Sequence, residues 1–132
     1  MPVDFSGTWI EVRYEGWYNL MKEMGIDPDK LPADMRVTER ITQTSEGAMT
    51  LVSTNNKDPN YRKELTLTVG SNFTDNIRGK PFECTTFWDG DKLIFQGVKG
   101  LGKVTREIVD GRMVATVEVH NEVAKTYFEK QG

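Results

Sequence analysis

The sequence predicts a mostly β protein, an antiparallel up-and-down barrel with one helical pair inserted after its first strand. About ten short strand-like runs follow one another, and only one region has the periodicity of a helix. Tight turns at Asp89-Gly90 and Asp110-Gly111 separate several of these runs and indicate β-hairpins. Closing successive hairpins into a barrel leaves no strand edge exposed, so residues 1–132 are expected to form one barrel domain.

The strand predictions rest on the alternation of apolar and polar residues between turn signals. In one such run Leu65, Leu67 and Val69 alternate with threonines. Strands are predicted over residues 5–14, 37–44, 48–55, 63–69, 82–88, 92–97, 103–109, 112–119 and 122–130. A ring of about eight to ten strands is wide enough to hold one small ligand.

Residues 16–36 form the helical region. Gly25 can end a first helix, Asp27 can cap a second one and Pro28 suits its first position. Pro32 is unfavourable inside a helix, so the second helix is expected to be short or distorted. The first helix carries an amphipathic stripe at helical spacing, formed by Trp17, Leu20, Met21 and Met24.

The composition excludes several classes of function. The chain has 17 Lys and Arg against 20 Asp and Glu, a net charge of -3, so nucleic-acid binding is not expected. Cys84 is the single cysteine, which excludes an intrachain disulfide, and with one histidine a zinc site is not expected. No signal peptide or membrane-spanning run is predicted, so we expect a cytoplasmic protein without metal or cofactor.

One of the late predicted strands carries a charge on its apolar face. Arg106 lies between Val104 and Ile108, at the spacing of two that places all three side chains on one side. A buried guanidinium needs a partner, which is either a carboxylate or hydroxyl of a ligand or an inward Glu or Asp of the protein. A third alternative is that Arg106 reaches the rim and stays hydrated. Arg40 and Arg62 are further candidates for inward-facing charges.

Four sequence runs, taken in order, resemble the intracellular lipid-binding proteins, which include the fatty acid-binding proteins and the cellular retinol- and retinoic acid-binding proteins. The resemblance covers essentially the whole chain. The runs are Met1 to Trp9, similar to the family's first strand; Tyr18 to Ile26, similar to its first helix; Trp88 to Leu93, similar to the retinol-binding branch; and Arg106 to Gly111, similar to the fatty acid-binding branch.

The resemblance implies a ten-stranded antiparallel barrel with a helix-turn-helix lid, which binds lipid without catalysis. Polar residues of the late strands hold the lipid headgroup in this family, and Arg106 matches the first of these positions. Thr126 stands where a second arginine is frequent and Phe128 where a tyrosine is frequent, so the headgroup site combines features of both branches. Because a carboxylate usually needs an arginine, a fatty acid or similar acidic lipid is the first expectation and retinol or another retinoid the alternative.

The same resemblance predicts a cavity and an entrance. The cavity lining is expected to comprise Arg40, Leu51, Ser53, Arg62, Leu93, Phe95, Val104, Ala115 and Val117. The portal is expected to comprise the helix stripe Trp17, Leu20, Met21 and Met24 with the turns near Lys57 and Phe73. Packing of the stripe into the core is the alternative, and it is the commoner fate of such stripes.

The expected partner is therefore one small hydrophobic ligand, held by a monomer. Surface lysines such as Lys22 and Lys30 permit a transient membrane or receptor contact through the lid. An enzyme acting on a hydrophobic molecule in the barrel is a further hypothesis. It needs an inward base or nucleophile, and the strand patterns indicate only Thr126 and Arg106 there, without a dependable inward carboxylate.

Overall fold

The computed structural model describes residues 3–30, 32–77, 80–100 and 102–131. It confirms the predicted fold class, since ten antiparallel strands of the described residues form a nearly closed barrel. Met1 and Pro2, which open the first family-like run, lie outside the described residues. The strands are β1 Gly7–Glu15, β2 Val37–Gln43, β3 Ala48–Asn55, β4 Lys63–Thr68, β5 Phe73–Ile77, β6 Lys80–Asp89, β7 Lys92–Gly97, β8 Lys103–Val109, β9 Arg112–Val119 and β10 Glu122–Lys130.

Neighbouring strands in the barrel are neighbours along the chain, with one exception. The order is β4-β3-β2-β1-β10-β9-β8-β7-β6-β5, so β1 pairs with β10 and joins the two halves of the sheet. The β1–β10 register shifts between Glu11 and Arg13, a bulge that changes the direction of β1. Strands β4 and β5 end the sheet, and among the described residues an ion pair between Lys63 Nζ and Asp75 Oδ1, 2.9 Å apart, links them.

The hairpin turn at Asp110-Gly111 follows the predicted chemistry, whereas Asp89 of the predicted Asp89-Gly90 turn is the last residue of β6 and pairs with Lys92. Asp110 and Gly111 have φ values of 53° and 80°, the left-handed pair that a type I′ turn requires. Five predicted strands, over residues 48–55, 92–97, 103–109, 112–119 and 122–130, have the bounds that the structure shows. The alternation of polar and apolar residues was therefore sufficient for these five strands, whereas the strand predicted over residues 82–88 is longer in the structure, as β6 Lys80–Asp89.

Strand β5 was missed in the sequence prediction, and the turn predicted near Phe73 is wrong because Phe73 begins this strand. The run Phe73–Ile77 contains Thr, Asp and Asn, and the last two are unfavourable in strands. Pairing of Phe73 with Cys84 and of Asp75 with Phe82 on β6 overrides that local preference. The strand forms because of its neighbour.

The helical region is shorter than residues 16–36. Helix α1 spans Trp17–Glu23, and Gly25, with a φ of 76°, follows its end, as predicted. The second helix reduces to a 3₁₀ turn, Pro28–Lys30, where the Asp27 carboxylate accepts a hydrogen bond from the Asp29 N–H at 3.0 Å. Within the described ranges, no helix is both long and apolar enough to cross a membrane.

One end of the barrel is filled by side chains. Phe5, Leu93 and Met113 are completely buried there, and the Trp9 indole N–H donates to the Phe5 carbonyl oxygen at 2.8 Å. The ring of Phe5 also stacks on Trp88, with centroids 6.1 Å apart. Phe5 precedes β1 instead of belonging to it, so the strand predicted over residues 5–14 began too early. This packed end fixes the floor above which a cavity opens.

Candidate ligand-binding cavity

A cavity of about 480 Å³ occupies the barrel between the packed end and helix α1. Its volume lies within the range of pockets that hold small molecules. Many residues predicted for the site line it: Trp17, Met21, Met24, Leu51, Ser53, Phe95, Val104, Arg106, Ala115, Val117, Thr126 and Phe128. The late strands thus present the side chains that their period-two pattern placed on one face.

Two predicted lining residues point outward, which corrects the sequence prediction. Arg40 is exposed and lies 3.5 Å from Thr54, and Arg62 forms an exposed ion pair with Glu64 at 2.7 Å. Residues next to each other in a strand face opposite sides, so an inward Glu39 requires Arg40 to face solvent. The inward charge of β2 is therefore acidic.

Four further predicted residues are not among the described residues that line the cavity. Leu93 is completely buried in the packed end. Leu20, on α1, is also completely buried, which agrees with the alternative that this residue packs into the protein. Lys57 is exposed and pairs with Asp34. Phe73 is half-buried and meets the lining residue Phe95 edge to face, with centroids 5.3 Å apart. The helix stripe is consequently divided between the cavity, reached by three of its side chains, and the core.

The Arg106 side chain has a partner within the protein. Its Nε and Nη2 atoms donate to the two carboxylate oxygens of Glu39 at 3.4 and 3.1 Å, and both side chains are 11% exposed. The guanidinium carbon also lies 5.2 Å from the centre of the Phe95 ring. The pair joins β8 to β2 across the barrel interior. Of the alternatives that the sequence left open, the structure shows an ion pair with an inward glutamate.

The hydroxyl of Thr126 is also engaged. It accepts a hydrogen bond at 3.0 Å from the indole N–H of Trp17, which connects α1 to β10. Phe128, two residues along the same face, is buried and lies in both the core and the cavity wall. The two predicted polar residues of the headgroup site are thus hydrogen-bonded to protein groups.

Three carboxylates of the described residues line the cavity, although the strand patterns indicated no dependable inward carboxylate. Glu11, Glu39 and Asp75 were missed. Glu11 is buried, accepts a hydrogen bond from the Val37 N–H at 2.8 Å, and has a pKa raised above its usual value by that burial. The sequence carried a signal for Glu39, because it lies between Val37 and Ile41 as Arg106 lies between its own apolar neighbours.

Charges along the described cavity wall are balanced or slightly acidic. The lining Asp, Glu, Lys and Arg residues are Glu11, Glu39, Lys63, Asp75 and Arg106. Both bases have an acidic partner within 3.1 Å. A mostly apolar cavity with a few paired polar groups is typical of a site that binds a small amphipathic molecule.

Comparison with known proteins agrees with this class. No family model matches the chain. Mouse fatty acid-binding protein 12 is 26% identical over 134 aligned residues, which cover 98% of this chain and 99% of the mouse protein. Human fatty acid-binding protein 9 is 28% identical, over 98% of this chain and 99% of the human protein.

The fold comparison points the same way. The solved structure of human cRBP IV superposes with a TM-score of 0.85 at 22% identity, over 98% of this chain and all of the other. Together, the full-length similarity to curated fatty acid-binding proteins and the shared barrel confirm the resemblance to the intracellular lipid-binding protein family.

Proposed function

We propose that this protein is a carrier that holds one lipid of the fatty acid or retinoid type, non-covalently, inside the barrel. The cavity of about 480 Å³ carries the proposal, because its wall combines an apolar lining with a small number of polar groups. The names of the mouse and human relatives, fatty acid-binding proteins, support the same ligand class.

The lining explains how such a ligand gains affinity. Side chains such as Phe95, Val104 and Val117 form an apolar path for a hydrocarbon tail. Burial of a methylene contributes roughly 0.8 kcal/mol, so tail length governs most of the binding free energy. The polar groups around Arg106 and Thr126 then orient the opposite end of the molecule.

Entry requires movement of α1. Trp17 and Met21 project from this helix into the cavity and Met24, directly after it, does so as well, so the three side chains cover the tail and must move to admit it. Tyr18, on the same helix, is 61% exposed next to the Lys22 ammonium, an aromatic and basic pair suited to a transient membrane contact during delivery. The proposal places this monomeric carrier in the cytoplasm.

Binding without catalysis is part of the proposal. A catalytic base would need a carboxylate available to a substrate. Glu39 and Asp75 are ion-paired, and Glu11 is hydrogen-bonded to the Val37 amide. Paired carboxylates in this arrangement support orientation of a ligand better than proton abstraction.

Native mass spectrometry of the purified protein tests the proposal directly. The expected result is a protein that takes up one palmitic acid, hexadecanol or retinol molecule after delipidation. Ala115→Phe should abolish uptake, because Ala115 lines the cavity and the phenyl ring would occupy the space of the lipid tail. Glu129→Gln, an exposed position on β10, is the matched control. Absence of uptake of all three lipids by the folded parent protein would refute the carrier function.

A further inference from the structure

We propose that Glu39 is a specificity-determining residue that neutralises Arg106 and selects an uncharged polar lipid, such as a long-chain alcohol, over the corresponding carboxylic acid. This inference rests on the carrier function and assigns the headgroup class of its ligand. It replaces the expectation of an acidic lipid, which assumed an arginine available for a carboxylate.

The geometry of the pair is that of a charge-compensated site. Two hydrogen bonds, from Nε and Nη2 of Arg106, engage both oxygens of Glu39. Each side chain is almost nine-tenths buried, so water contributes little screening. A ligand at this position meets a paired dipole instead of a single positive charge.

The other charges of the wall do not restore a positive site. Lys63, the second base among the described lining residues, lies 2.9 Å from Asp75. Glu11 adds a further acidic group whose pKa is raised by burial. Within the described wall, Lys63 is therefore neutralised by Asp75, and Glu11 adds no positive charge.

A carboxylate therefore loses its hydration on entry and meets Glu39 as a like charge. An alcohol loses less hydration than a carboxylate and carries no charge for Glu39 to repel. Its oxygen can accept a hydrogen bond from the Nη1 group of Arg106, which the two bonds to Glu39 do not use, and its hydrogen can be donated to the Glu39 carboxylate. The pair thus carries both a donor and an acceptor, the complement of a hydroxyl group.

Binding of palmitic acid and hexadecanol, two molecules with the same chain, tests the inference. Quenching of tryptophan fluorescence can report both, because Trp17 lines the cavity. The parent protein is expected to bind hexadecanol at least about tenfold more tightly than palmitic acid. Glu39→Gln should reverse or remove that preference by raising the affinity for palmitic acid more than about tenfold, since close charge pairs couple at least that strongly.

Two further variants control the experiment. Glu129→Gln makes the same chemical change in an exposed pair with Arg112 and should leave the ratio of affinities unchanged. Glu39→Gln/Arg106→Gln removes both charges, so it should bind hexadecanol without gaining affinity for palmitic acid. If Glu39→Gln does not fold, tighter binding of palmitic acid than of hexadecanol by the parent protein still overturns the inference.

The outcomes separate the two proposals. Tighter binding of palmitic acid by the parent protein, with an unchanged ratio in Glu39→Gln, overturns the role of Glu39 and leaves the carrier function standing. No binding of either molecule by any folded variant overturns the carrier function and the inference together.

Discussion

The hydrogen bond between Trp17 and Thr126 is expected to hold α1 over the cavity. The indole Nε1 donates to the Thr126 hydroxyl at 3.0 Å, and Trp17→Phe keeps an aromatic ring without a donor. Such a bond contributes about 0.5–1.5 kcal/mol net. A factor of ten corresponds to about 1.4 kcal/mol, so opening of α1 should become roughly two- to tenfold more frequent in this variant.

Two measurements read out this opening. Amide hydrogen exchange within α1 should accelerate, because the Leu20 and Met24 amides are protected by helical hydrogen bonds. Release of a bound fluorescent long-chain lipid, followed by stopped-flow fluorescence, should accelerate by a similar factor if helix movement limits exit. Tyr18→Phe, on the neighbouring exposed residue, is the control and should leave both rates unchanged.

Thr126→Val tests the same bond from its other end. It removes the acceptor and preserves the shape of the side chain, so it should reproduce the effect of Trp17→Phe. In the double variant the two effects should not add, because one interaction is lost in both cases. Additive effects, or unchanged exchange within α1 after Trp17→Phe, would show that the hydrogen bond does not hold the helix.

Three predictions concern stability, each measured by urea unfolding. Met113→Ala should lower the free energy of unfolding by about 2–5 kcal/mol because Met113 is completely buried in the packed end, whereas exposed Val109→Ala should change it by less than about 0.5 kcal/mol. Gly16→Ala should lower the free energy of unfolding more than Gly25→Ala does. Both glycines have positive φ, but an added Cβ overlaps a β10 carbonyl oxygen at Gly16 and meets open space at Gly25. Glu11→Gln should flatten the pH dependence of the free energy of unfolding above pH 4.5. In the parent protein this free energy falls as the pH rises, because the pKa of Glu11 is raised in the folded state and the unfolded chain ionises first. An unchanged slope in the variant would contradict this.

Strand positions and faces could largely be predicted from the sequence, because period-two alternation and turn residues are local signals. The turn at Asp110-Gly111 is an example, with both residues in the left-handed conformation it requires. Strand β5 could not be predicted in this way, since its Asp and Asn residues oppose strand formation and pairing with β6 overrides them. Local patterns describe a strand well only where the local preference agrees with the barrel.

The partners within the cavity required the structure. Arg106 and Glu39 are separated by 67 positions along the chain, and no periodicity indicates that they meet across the barrel. The inward position of each was nevertheless readable, since both lie between apolar residues two positions away. Glu39 shares the face of Val37 and Ile41, so the adjacent Arg40 faces outward and its predicted inward position is wrong.

The junction between β4 and β5 gives the barrel wall one strip that responds to dissolved ions. Elsewhere adjacent strands share backbone hydrogen bonds, whereas these two terminal strands of the described sheet are linked by the side chains of Lys63 and Asp75. Salt screens a partly exposed charge pair far more than a hydrogen-bonded ladder. Raising the ionic strength therefore weakens the contact between β4 and β5 selectively, so these two strands separate more often while the hydrogen-bonded strands of the barrel are unaffected.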